Sequence, residues 1–188
     1  DAIGNREKRR LHIDVQAEAE RLLRSASGRG YGPALLQLGH LCAADRASPP
    51  KREEAIRCYR AAAEQRVLVA QLIVAQNLLA GGWGERNPEE AAIWFREAAE
   101  AGHPRAQFQL GVMYGTGLGV PADLAAAAAW YRRAAEQGER TAQHNLAVML
   151  SRGDGIERDP EAAIGWYRKS AEQSLPEAQT ALGDIYAR

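Results

Sequence analysis

Apolar side chains along this chain fall at three- and four-residue steps, and the whole pattern then repeats every 36 residues. Ala34, Ala70, Ala106, Ala142 and Ala178 mark one position of the pattern, without insertion or deletion. Tyr59, Phe95, Tyr131 and Tyr167 mark a second. Ala63, Ala99, Ala135 and Ala171, each followed by Glu, mark a third. Such steps line up residues on one helix face. A fixed period of this size is the signature of one two-helix unit copied and stacked. The expected fold class is all-α, a solenoid of antiparallel helix hairpins. Its long exposed surface favours binding another macromolecule over chemistry in a closed pocket.

The third copy shows the expected unit most fully. Pro104 opens helix A, where a missing N–H costs nothing. Ala106, Leu110 and Tyr114 then share one face, with the small Gly111 beside them for close helix approach. Gly115-Thr116-Gly117-Leu118-Gly119-Val120 breaks the helix, because glycine accepts positive φ. Val120, like Ile156 in the fourth copy, is expected to plug the hairpin end. Asn87, Asp123 and Asp159 stand where an N-cap belongs, two of them followed by Pro and Glu. Helix B carries Ala127, Trp130, Tyr131, Ala134 and Ala135 and ends at Gln137-Gly138. The recurrent Trp94, Trp130 and Trp166 are expected in the core.

The same register sets the boundaries. Residues 1–33 form an N-terminal capping helix, from about Glu7 to Ser27, and a linker. Repeats follow at 34–69, 70–105, 106–141 and 142–177, the first divergent, and 178–188 is helix A of a partial fifth. Leu182, Ile185 and Tyr186 would then be half exposed, which favours a chain continuing past Arg188 over a dedicated cap.

The string Leu110-Gly111-x-x-Tyr114-x-x-Gly117-x-Gly119-Val120, followed by Trp130-Tyr131-x-x-Ala134-Ala135-Glu136-Gln137-Gly138, resembles the Sel1-like repeat, a relative of the tetratricopeptide repeat. The fourth copy matches through Asn145-Leu146, Gly153-x-Gly155-Ile156 and Trp166-Tyr167. The second departs in its turn, Gly81-Gly82-Trp83-Gly84, and the first has Asp45-Arg46-Ala47-Ser48-Pro49-Pro50 instead of turn glycines. The resemblance spans residues 34–188. It implies a right-handed α/α superhelical solenoid with the A helices on its concave side. It also implies a non-enzymatic protein–protein interaction module, working as adaptor, assembly factor or inhibitor. Members of the family are often bacterial and exported. Some are periplasmic immunity proteins against secreted toxins, and others scaffold polysaccharide secretion.

Composition changes this picture little. Lys plus Arg equals Asp plus Glu at 24 each, so net charge does not point to nucleic acid or an acidic membrane. The cluster Arg6, Lys8, Arg9, Arg10 reads as a solvated helix start. No stretch reaches the ~20 apolar residues of a membrane span. The start at Asp1 fits a processed or trimmed N-terminus, and a periplasmic or otherwise exported location is favoured over a cytoplasmic one.

Candidate chemistry is sparse. His12, His40, His103 and His144 lack His-Glu-x-x-His spacing, and Cys-x-x-Cys is absent. His40-x-Cys42 with Cys58 is the nearest approach to a metal cluster, but residues two apart on a helix point to different sides. Cys42 and Cys58 fall at packing positions; buried thiols and a helix-to-helix disulfide are both open. The glycine turns lack the preceding strand and the Lys of a phosphate loop. No cofactor, metal or small-molecule substrate is expected.

With A helices concave, as the resemblance implies, a protein partner would meet the face opposite Ala106, Leu110 and Tyr114. The expected contacts are Gln37, His40, Ile73, Gln76, Asn77, Gln109, Val112, Met113, His144, Asn145 and Val148. These positions vary from copy to copy, mix amides with apolar groups and hold little charge, which suits a moderately apolar protein segment. Trp83, in a glycine-flanked turn, is either folded onto its own hairpin or an additional anchor.

Overall fold

The computed structural model describes residues 17–44 and 49–187. The basic cluster near the N-terminus, the expected start of the leading helix, part of the first turn and Arg188 lie outside them. The chain divides into two compact units, one up to Val74 and one from Ala75.

In the first unit, helix α1 is seen over 17–27, followed by α2 (Gly32–Ala44) and α3 (Pro49–Glu64). α4 (Leu68–Ala80) begins here and ends in the second unit. α1 covers less than its pattern suggests. Leu23 and Ala26 are half-buried, but Ala19 is exposed and Leu22 is 56% exposed. Its firmest tie is polar, Arg24 to Glu54 on α3 at 3.0 Å. α2 and α3 pair as a hairpin because Gly39 has no side chain: a Cβ there would sit 2.7 Å from the Tyr59 ring. Cys42 and Cys58 are buried and free. Burial first, and then Glu54, pushes the Cys42 thiol up to about 11, and burial also raises Cys58. Both are packing groups, not nucleophiles.

The second unit continues through α5 (Pro88–Glu100), α6 (Pro104–Thr116), α7 (Leu124–Glu136), α8 (Arg140–Arg152), α9 (Pro160–Glu172) and α10 (Pro176–Tyr186). The expected caps form. Asn87, Asp123 and Asp159 accept from the N–H groups of Glu90, Ala126 and Ala162 at 2.9–3.0 Å. Gly117 and Gly153 close α6 and α8 in the left-handed conformation. The core runs along the small and aromatic stripe: Ala127, Tyr131, Ala134, Leu146, Ala147 and Tyr167 are buried in one cluster.

Two features join successive hairpins within this unit. Gly119 and Gly155, at φ +73 and +67, lie against backbone of the preceding B helix; a Cβ would fall 2.2 Å from the Pro88 oxygen and 2.3 Å from the Leu124 carbonyl carbon. The second feature is a set of buried amides. Gln107 Nε2 donates to the Ala99 carbonyl and Gln143 Nε2 to that of Ala135, both at 3.1 Å. Each accepts in turn from the end of helix B in its own hairpin, from Gln137 at 2.7 Å and Gln173 at 2.9 Å. These bonds satisfy buried polar groups and fix helix register.

The tryptophans differ from expectation. Trp94, Trp130 and Trp166 are only half-buried. Arg133 lies 4.6 Å from the Trp130 ring centroid and Lys169 lies 4.2 Å from that of Trp166. The core at this level is filled by the neighbouring Phe95, Tyr131 and Tyr167, so the indoles take the outer flank, where those of Trp130 and Trp166 are covered by cationic side chains.

Candidate functional site

In the first unit, Gln37 and His40 are exposed and Ile73 is half-buried. His40 is engaged: its Nδ1 lies 3.0 Å from the Tyr59 hydroxyl, and the rings meet edge to face at 5.4 Å. No group of three or more His, Cys, Asp and Glu suited to a metal occurs among the described residues.

In the second unit, Gln76, Asn77, Gln109, Val112, His144, Asn145 and Val148 are all half-buried, as surface residues on a helix flank are. Met113 does not belong with them. It is 1% exposed, because the position three after Leu110 turns back onto the packed stripe. His144 sits at the border: its ring meets Tyr167 edge to face at 5.5 Å, much as Phe108 meets Tyr131 at 6.0 Å. Burial lowers the His144 pKa, and the Glu177 carboxylate opposes the shift. Trp83 is half-buried in the turn after α4.

Asn145 and Val148 converge with residues that the sequence reading did not include. They line a cleft of about 240 Å³ with Gly115, Thr116, Leu124, Ala127, Tyr131, Met149 and Asp154. The last turn of α6, the start of α7 and one flank of α8 thus form a single depression. Leu124 at its rim is 47% exposed. The Tyr131 hydroxyl bonds to Asn145; burial raises the phenol's pKa and this bond partly offsets the rise. Chemically the cleft is a largely apolar trough lined also by one amide, two hydroxyls and one carboxylate. Gln109 and Val112 lie outside its lining.

The sequence signals for Leu124 and Asp154 were weak, since each sits in or beside a turn whose residues change with every copy. The glutamines beside the alanine stripe had a clearer one: Gln71, Gln107, Gln143 and Gln179 stand 36 residues apart, the first three buried and Gln179 exposed. A polar residue held at one register beside the alanine stripe marks a satisfied buried amide.

The chain belongs to the Sel1 repeat family, whose model matches residues 32–67, 68–103, 104–139 and 140–175. Proteins of this family are in general protein–protein interaction modules rather than catalysts. No curated protein matches the chain. Among solved structures it is similar to c5321, a protective antigen present in uropathogenic Escherichia coli strains and displaying an SLR fold. That match has 34% identity and a TM-score of 0.82 and covers 90% of this chain and 36% of that one. A Sel1 repeat protein from Oxalobacter formigenes matches at 31% identity and TM-score 0.71, over 89% of this chain and 66% of that one. Helicobacter pylori cysteine rich protein B, at 21% identity and TM-score 0.55, covers 69% of this chain and 92% of its own and shares the fold. The chain therefore spans 36% and 66% of the length of the first two. These matches make the fold class an all-α, Sel1-type solenoid. No described helix is long and apolar enough to cross a membrane.

Proposed function

We propose that the chain binds a protein partner on the open flank of its A helices, as an adaptor, assembly factor or inhibitor. In the second unit the anchor is the cleft between α6, α7 and α8. The observation that carries this reading is the contrast within one repeat. Packing positions keep one residue type and are buried, as at Ala106 and Ala142, while Gln109 and Asn145, or Thr116 and Arg152, change with the copy and reach the surface. A surface whose side chains differ from copy to copy on a common skeleton is what a specific docking face requires. The mixture of exposed Leu124 with half-buried Val148 and Asn145 suits a protein segment with an apolar anchor, with little in it to grip a phosphate backbone. Bacterial origin is supported by the neighbours from Escherichia coli and Oxalobacter formigenes.

The test begins with affinity capture to identify the partner and continues with purified components. Gln109→Arg combined with Asn145→Arg should weaken the measured Kd by at least about tenfold while the helical circular dichroism signal stays unchanged. Unchanged affinity in that double variant, with binding lost instead on substitution of Trp83, would move the docking site off this flank.

A further inference from the structure

The ends of the A helices differ in one respect along the repeat. A helix leaves its last four carbonyls without an intrahelical donor. At the end of α4, Arg86 donates its Nε–H to the Leu79 carbonyl at 2.8 Å. At the end of α8, Arg158 does the same for the Ser151 carbonyl at 3.0 Å. Leu79, Gly115 and Ser151 share one repeat position, and Arg86, Ala122 and Arg158 share another. The third copy thus carries alanine where the copies before and after carry a guanidinium. The Gly115 carbonyl receives no backbone donor among the described residues.

Gly115 is also part of the cleft wall, and having no side chain it presents backbone there. Asp154 is the one charged residue in the lining. Asp154 takes part in no ion pair among the described residues. The cleft further gathers the last turns of two helices, Gly115 and Thr116 of α6 and Met149 of α8, where the helix dipole is negative and favours a cation. The same lining carries the apolar side chains of Leu124, Val148 and Met149. A carboxylate, the Gly115 carbonyl without a backbone donor and aliphatic side chains in one cleft match a long side chain that has a charged, multi-donor head.

We propose that this cleft takes an arginine side chain from the protein partner. Its guanidinium is held by the Asp154 carboxylate and the carbonyl end of α6, and its stem lies on Leu124, Val148 and Met149. Arginine is favoured over lysine because its planar fork serves a carboxylate and a carbonyl together, and because in the flanking copies the equivalent carbonyl accepts from an arginine of the chain itself. The inference rests on the docking reading above and supplies the chemistry of its anchor.

Titration of isotope-labelled protein with N-acetyl-arginine-N-methylamide tests it by NMR. The citrulline derivative is the control, with the same stem and shape but no charge. Arginine should give saturable shifts at the Gly115, Thr116, Asn145 and Asp154 amides, and citrulline should bind about fivefold more weakly or less. Asp154→Asn should weaken arginine by about the same factor, and rising salt should do likewise. Ala122→Arg supplies from within the chain the group that Arg86 and Arg158 supply, so it should abolish the shifts while the melting temperature holds or rises. Equal responses to the two derivatives, or full arginine binding by the Ala122→Arg variant, would overturn the proposal. With the purified partner, binding lost in the Gln109 and Asn145 double variant but kept in Asp154→Asn and Ala122→Arg would retain the docking flank and discard the arginine anchor.

Discussion

Hairpins α6–α7 and α8–α9 are two versions of one object. Both start helix B on an aspartate cap, bury a glutamine against the preceding helix, lay an aromatic or imidazole ring on a tyrosine and seat a turn glycine on foreign backbone. They part at Gln109 and Asn145, at Thr116 and Arg152, and at Ala122 and Arg158. The shared positions each satisfy a constraint with few chemical solutions, such as a clash avoided or a buried amide paired. The differing ones face solvent or a cleft. The comparison separates what holds a repeat together from what lets one repeat do something its neighbour does not.

The sharpest way to break the shared part is Gly155→Val. The new Cβ would meet the Leu124 carbonyl carbon at 2.3 Å, on a residue already at positive φ. A loss of about 3 kcal/mol or more is expected, read as a large drop in melting temperature. Next comes Gln143→Leu, which removes the buried bonds to the Ala135 carbonyl and from the Gln173 amide, leaving the carbonyl only its Gly138 N–H and Gln137 N–H donors and the amide only the Gly138 carbonyl. It should cost about 1–3 kcal/mol by urea denaturation, with the m-value unchanged. Gly165 provides the opposite sign. It lies inside α9 with nothing within 4 Å of its missing Cβ, so Gly165→Ala should stabilise by about 1 kcal/mol in the same assay.

The smallest effect is a pH dependence carried by His144 in the α8–α9 hairpin. His144 has a pKa below the usual imidazole value, chiefly because it is buried. A depressed value means that the unfolded chain binds the proton more readily. The contribution of neutral His144 is therefore present above about pH 6.5 and lost as the pH falls through that range. His144→Phe, which copies Phe108, should flatten the slope of melting temperature against pH between about 7 and 5 relative to the parent.

Most of the skeleton was legible in the chain. The alanine and tyrosine stripes, the three caps and the hairpin turns follow from residue types with narrow conformational or steric roles, and such roles leave periodic traces. The flank carrying Asn145 and Val148 was legible for the same reason in reverse, as positions where periodicity fails. Met113 was misplaced because a helix border three residues from the stripe turns inward or outward according to what the next helix supplies. The tryptophans were misplaced because a large apolar ring and a neighbouring phenol competed for one space, and the phenol position won. The cleft itself was not legible. It arises where a turn after α8 approaches the start of α7, a proximity that no spacing within one copy encodes.

The seating of Gly119 on Pro88, and of Gly155 on Leu124, carries a consequence for how such a chain changes in length. Each seat ties a loop to a partner in the previous copy, so inserting a single amino acid between them shifts a bulky side chain into a space fit only for a hydrogen atom. Duplicating or excising a whole 36-residue block leaves every seat occupied as before. Growth and shrinkage of the array are thereby confined to whole modules, and the unit of heritable variation is the hairpin rather than the residue.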